Sequence, residues 1–167
     1  MVARVILLNG TSSAGKSTLA AALRPLLPAT FCFYSSDQLA NAGFRPSADL
    51  ARWEGREAFF AGFHRSIAAF AEAGLDLLVE HIVERSSWGE QLRDLLSPFD
   101  TFWVGVHAPT AVLEQRERQR GDRSIGEAEE HLATHDHCAY DYEIENVEAP
   151  AIIAARIAHS WSRRHSQ

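Results

Sequence analysis

The 167-residue chain predicts an α/β protein with a parallel sheet covered by helices on both faces. Two observations carry this. Short apolar, β-branched or aromatic runs alternate with helix-like stretches along the whole length, the pattern of strands joined by helical crossovers. In addition, the first apolar run, VARVILLN, empties directly into the glycine- and hydroxyl-rich stretch GTSSAGKS, as a buried strand does when it turns into a helix.

In chain order, Val2–Leu8 is almost continuously apolar apart from Arg4, which suits a central strand buried on both sides. Alanines and leucines at helical spacing follow from Lys16 to Leu27, where Pro25 and Pro28 end the helix. FCFY (31–34) reads as the second strand, running into SSD, and LDLLVEHIV (75–83) as the third. Helices are predicted across Arg52–Ala73 and Trp88–Leu96, with TFWVGVH (101–107) as the fourth strand. After Pro109 a charged helix, VLEQRERQRGDR, breaks at Gly121, and a second helical stretch runs from about Ile125 to Cys138. Tyr142–Asn146 reads as the last strand. Ala151–Trp161 is an amphipathic helix with Ile152, Ile153, Ile157 and Trp161 on one side.

Composition narrows the function classes. With 46% hydrophobic residues the chain can bury one good core, and its length predicts one domain spanning residues 1–167. A net charge of -6 offers no basic footprint for nucleic acid or an anionic membrane surface. Neither a leader segment nor a membrane span is evident, so the expectation is a cytoplasmic protein. Cys32 and Cys138 are too few for a disulfide framework or a four-cysteine zinc site.

Gly10–Ser17 satisfies G-x-x-x-x-G-K-[ST] between a strand and a helix, the context that makes it a phosphate-binding loop. Glycines let successive N–H groups converge on phosphate oxygens, and the helix N-terminus adds partial positive charge. Gly10, Thr11, Ser12, Ser13, Ala14, Gly15, Lys16, Ser17 and Thr18 are therefore expected to contact a nucleoside triphosphate. Lys16 would reach the β and γ phosphates and Ser17 would ligate Mg²⁺. No NKxD-like guanine-reading motif occurs, which favours ATP.

Asp37 follows the second strand at the carboxyl edge of the sheet, where parallel α/β proteins place ligands. It suits a general base that takes the proton of an acceptor hydroxyl, and SSDQLA equally has the chemistry of a helix N-cap. Glu80, at the end of the third strand, is the candidate second Mg²⁺ partner, or else an ion-pair partner of a nearby arginine. His81 reads as a hydrogen-bonding residue that could orient Asp37 or substrate. Arg120 and Arg123 flank Gly121 and are expected to arrive over the phosphates from a helical lid at about 114–137; Arg116 and Arg118 fit either that role or a solvated ion-pair helix. Phe44, Trp53, Phe59, Phe60, Phe63 and Trp88 are either walls of an acceptor pocket or core. Arg45, Arg52, Arg56 and Arg65 would suit an anionic acceptor. His131, His135, His137 and Cys138 lack the partners of a zinc site and read as a polar helix surface.

ILLNGTSSAGKST, FCFYSSDQL and RERQRGDRSIGEAEEHLATH followed by YDYEIEN, in this order, resemble the chloramphenicol phosphotransferase-like proteins, which are small P-loop kinases. The resemblance covers most of the chain. It implies the P-loop nucleoside triphosphate hydrolase fold, with a five-stranded parallel sheet, flanking helices and a helical lid. It further implies ATP and Mg²⁺ at Gly15, Lys16 and Ser17, Asp37 as the base, and Arg120 and Arg123 as lid residues. The implied partner is a small-molecule hydroxyl acceptor, and self-association as a homo-oligomer is compatible with it. Glu80-His81 and the segment Gln38–Phe63 depart from the antibiotic kinase, so the resemblance leaves the acceptor open.

Overall fold

Five strands form one parallel sheet in the order β2-β3-β1-β4-β5. The computed structural model describes residues 2–44, 54–120, 128 and 131–164, without the side chain of Arg120. The strands are β1 (Arg4–Asn9), β2 (Phe31–Ser35), β3 (Asp76–His81), β4 (Asp100–His107) and β5 (Tyr142–Glu145). The α-helices include α1 (Lys16–Leu23), α2 (Ser36–Asn41), α3 (Arg56–Glu72), α4 (Ser86–Leu96), α5 (Thr110–Arg120) and α6 (Pro150–Arg163).

The first strand shows why its sequence is apolar throughout. Ile6 and Leu8 point into a core with Leu19, Leu23, Ile153 and Ile157 of α1 and α6. Val5 and Leu7 point the opposite way, into a core with Phe63 and Ile67 of α3 and Leu92 of α4. Alternation therefore serves two buried faces, and burying such side chains contributes about 1.5–3 kcal/mol each. Arg4 interrupts the run because it lies at the sheet's opposite edge, where its backbone N–H and Nε bond Asp76 Oδ1 at 2.9 and 3.0 Å.

Several boundaries differ from those predicted, and three of the differences have a visible cause. Helix α1 stops at Leu23, and a 3-10 turn over Arg24–Leu26 replaces its expected last turn, because Pro25 has no N–H to continue the ladder. Strand β3 ends at His81, because the Val83 N–H is taken by Asn9 Oδ1 at 2.9 Å. The expected helix from Ile125 to Cys138 is, over Leu132–His137, a 3-10 helix. Its Thr134 carbonyl accepts from Asn9 Nδ2 at 3.2 Å instead of serving an α-helical ladder, and Thr134 Oγ1 donates to Asn9 Oδ1 at 3.0 Å and lies 2.9 Å from Val83 O. Among the described residues no helix is long and apolar enough to cross a membrane.

Candidate active site

The loop between β1 and α1 has a backbone that only its own residue types allow. Gly15 sits at φ +88°, and a Cβ there would lie 2.6 Å from Asn146 Nδ2. A Cβ on Gly10 would come within 2.3 Å of the Val106 carbonyl oxygen, so β1 leaves the sheet pressed against β4. Helix α1 begins with no side-chain cap and no acidic residue in its first turn, which leaves its N-terminal amides turned toward the loop. Ser13, at φ 59°, has a buried Oγ with no hydrogen-bond partner. A loop running into an uncapped helix N-terminus, with an orphaned hydroxyl beside it, fits a phosphate group.

Lys16 is buried, and its Nζ donates to the carbonyls of Gly10 and Thr11, each at 2.9 Å. The ammonium is thus held across the mouth of the loop that carries it. Ser17 Oγ donates to Glu80 Oε1 at 2.8 Å, joining the first turn of α1 to the end of β3. Alternation along β3 directs Leu78 and Glu80 toward α1, so the hydroxyl and carboxylate expected to share a cation do converge. Both are oxygen donors of the kind Mg²⁺ takes beside phosphate and water.

Asp37 occupies the first turn of α2 and is exposed. Its N-cap alternative falls, because Ser35 caps this helix: Ser35 Oγ accepts from Gln38 N–H at 3.2 Å and Gln38 Oε1 accepts from Ser35 N–H at 2.9 Å. Ser35 is the register partner of Glu80, which puts Asp37 two residues beyond the metal-site candidate on the same sheet edge. Thr11 and Ser12 are buried in the loop, whereas Thr18 is exposed on α1.

Of the four arginines, Arg116 reaches the loop. Its Nη1 donates to the carbonyls of Ser13 and Ala14 at 3.3 and 3.0 Å, and its Nη2 to the Asn146 carbonyl at 2.8 Å. Asn146 Nδ2 also donates to Ala14 O, at 2.7 Å. These donors fix the Ser13 and Ala14 carbonyls and so brace the loop. Arg118 instead forms an exposed pair with Glu114 at 3.4 Å. The Arg120 side chain and all of Arg123 lie outside the described residues, as do Arg45, Arg52 and Trp53.

The aromatics resolve mostly as core. Phe59, Phe60, Phe63 and Trp88 are buried together, with Phe60 and Trp88 ring centroids 4.6 Å apart, while Phe44 is exposed. Arg56 lies over Phe60 and bonds both oxygens of Glu84 at 2.5 Å. Among them His81 Nε2 meets His64 Nε2 at 2.9 Å, and His64 Nδ1 meets Gln91 Oε1 at 3.0 Å. Burial holds both imidazoles below the usual histidine range, His81 well below, with charge on His64, Lys16 and Arg56 further opposing protonation of His81. His81 therefore faces the α3 side, opposite Glu80, and its partner is His64. His135 stacks on His107 at 3.8 Å and meets Tyr140 OH at 2.9 Å; burial lowers it to about 4. No group of three or more metal-ligating His, Cys, Asp or Glu side chains exists among the described residues.

Sequence reasoning missed Asn9 and Asn146. Each sits at a strand end, and each is distinguished only by long-range hydrogen bonds seen in three dimensions. Asn9, with no solvent exposure, also donates to Tyr140 OH at 2.7 Å, so one side chain ties β1 to the segments after β3 and α5.

The architecture is that of the P-loop kinases. Solved structures of similar fold include the Mycobacterium tuberculosis APS kinase in complex with AMPPNP and APS (TM-score 0.71, 16% identity, 96% of this chain and 98% of that one). Shikimate kinase from Acinetobacter baumannii has TM-score 0.67 and 17% identity (97% and 94% covered), and the Deinococcus radiodurans tunicamycin resistance protein 0.66 and 18% (94% of each). A Mycobacterium tuberculosis protein named "Putative O-phosphotransferase" is 29% identical over 184 residues, covering 93% of this chain and 80% of the relative. Residues 3–162 match the model of the chloramphenicol phosphotransferase-like proteins, and the chain belongs to that family. Family and fold together support a small-molecule P-loop phosphotransferase.

Proposed function

We propose that the protein is an ATP-dependent, Mg²⁺-requiring kinase that transfers the γ-phosphoryl group to a hydroxyl of a small molecule, with Asp37 as general base. The observation that carries this reading is the Ser17–Glu80 hydrogen bond beside Lys16, with Asp37 on the same sheet edge. Bound ATP would supply the phosphoryl group, and Mg²⁺ would spread its negative charge. Residues 10–18 would hold the phosphates, with Ser17 and Glu80 toward the metal. Lys16, held by the Gly10 and Thr11 carbonyls, would direct its ammonium at phosphate oxygens and keep positive charge where negative charge develops. Asp37 accepts the proton of the acceptor hydroxyl on a carboxylate oxygen, which leaves the alkoxide character aimed at phosphorus. Arg120 and Arg123 are proposed to approach the phosphates and exclude water.

The acceptor class follows less directly. Inactivation of a hydroxylated antibiotic agrees with the family, and a resistance protein is among the similar folds. An anionic metabolite, as the APS and shikimate kinases take, is the second reading; against it, Arg56 is already bound by Glu84. The deciding experiment is an ATP-consumption assay with Mg²⁺ against chloramphenicol, tunicamycin and a panel of hydroxylated metabolites including shikimate. A product heavier by one phosphoryl group names the acceptor. Slow hydrolysis unaffected by any acceptor counts against the transferase and favours a nucleotide-dependent switch.

A further inference from the structure

Helix α5 is polar throughout after Leu113, yet it buries a carboxylate there. Among its described side chains the buried ones are Leu113 and Glu117, one turn apart, and both are 1% exposed. A sealed carboxylate is costly unless hydrogen bonds hold it, so its partners reveal what its placement secures. Glu117 Oε1 accepts the backbone N–H of Ala128 at 2.7 Å. The carbonyl of the same Ala128 accepts from Thr11 Oγ1 at 2.5 Å. The Thr11 carbonyl in turn accepts from Lys16 Nζ at 2.9 Å. Four residues thus form one continuous relay from the middle of α5 to the ammonium at the mouth of the phosphate loop.

Resting on the nucleotide-binding reading above, we propose that Glu117 is a positioning residue: through the backbone of Ala128 it fixes the orientation of Thr11 and so sets where Lys16 meets the phosphates. Toward the Ala128 backbone N–H, residue 117 needs a carbonyl-type oxygen at that spot. The requirement on residue 11 is a hydroxyl. Losing either breaks the same relay, so losing both adds nothing further.

The test is a double-mutant cycle on the full chain, reading affinity for AMPPNP with Mg²⁺ by calorimetry. Glu117→Ala and Thr11→Val should each weaken binding about tenfold, the scale of one lost buried hydrogen bond. The double variant should bind within about twofold of the weaker single one. Glu117→Gln, which keeps the oxygen, and Thr11→Ser, which keeps the hydroxyl, should stay within about threefold of the unaltered protein. Melting temperatures establish that each variant is folded, and if Glu117→Ala is not, Glu117→Gln with the Thr11→Ser and Thr11→Val pair still decides. Independent, multiplying losses overturn the relay, as does Glu117→Gln binding as poorly as Glu117→Ala, or Thr11→Val binding like wild type. If the unaltered protein binds no AMPPNP, the nucleotide reading fails and takes this inference with it; binding unaffected by the variants removes this inference alone.

Discussion

Ser17 Oγ and Glu80 Oε1 lie 2.8 Å apart although 63 residues separate them, so the first turn of α1 and the last turn-facing carboxylate of β3 are one unit. If that unit holds Mg²⁺, Glu80→Ala should lower turnover about a hundredfold and move the Mg²⁺ dependence to higher concentration. Initial rates across a Mg²⁺ series measure both. A rate loss with unchanged Mg²⁺ dependence would reduce Glu80 to an anchor for Ser17.

Asp37 has been relieved of capping duty by Ser35, which sharpens its test. Asp37→Asn keeps the size and loses the proton acceptor, so nucleotide affinity should hold while acceptor-dependent transfer drops by about 10²–10⁴. Lys16→Ala, by contrast, should abolish turnover altogether. Normal transfer by the Asp37→Asn enzyme would take Asp37 out of the base role.

Arg4, with Thr30, holds the Asp76 carboxyl down to about 2, from an ordinary 3.8. A carboxylate whose folded pKa is depressed contributes its full stability above the unfolded pKa and loses it as pH falls through the folded one. This pair should therefore contribute ~2 kcal/mol at neutral pH, declining between about pH 4 and pH 2. Urea unfolding at pH 7 and pH 3 would show the decline in the native chain, and Asp76→Asn should flatten it.

The His64–His81 pair behaves in the opposite part of the scale. Both rings are held neutral by burial, so below about pH 6.5 the unfolded chain takes up protons that the folded chain refuses. Stability should fall as pH drops from 6.5 toward 5, by up to about 1.4 kcal/mol per pH unit for each such histidine. Replacing His81 by Gln should remove one proton's share of that slope in thermal or urea unfolding. An unchanged slope would mean that another group, such as His135, governs the acid limb.

Much of this was legible locally. The loop announces itself because phosphate binding needs glycines, a lysine and a hydroxyl at fixed spacing, and the central strand β1 announces itself because two buried faces demand a nearly unbroken apolar run. The helix after Ile125 was misread in its described part for the same reason: helical spacing is local, whereas Asn9, 125 residues away, captures the Thr134 carbonyl. The division between Arg116 on the loop and Arg118 in solvent was equally invisible, since two residues on a helix differ only in which neighbour each side meets.

By itself the sequence determined a parallel α/β chain with a phosphate-binding loop at the end of its first strand, because backbone dihedrals and hydrophobic period are properties of neighbouring residues. Only the tertiary structure decided that Glu80 serves Ser17 while His81 serves His64, that Arg116 and Asn146 brace the loop, and that a carboxylate in the middle of α5 is tied through Ala128 to Thr11. Those pairings depend on which strand lies beside which and on the face each side chain takes, and no local pattern encodes contacts between residues so far apart in the chain.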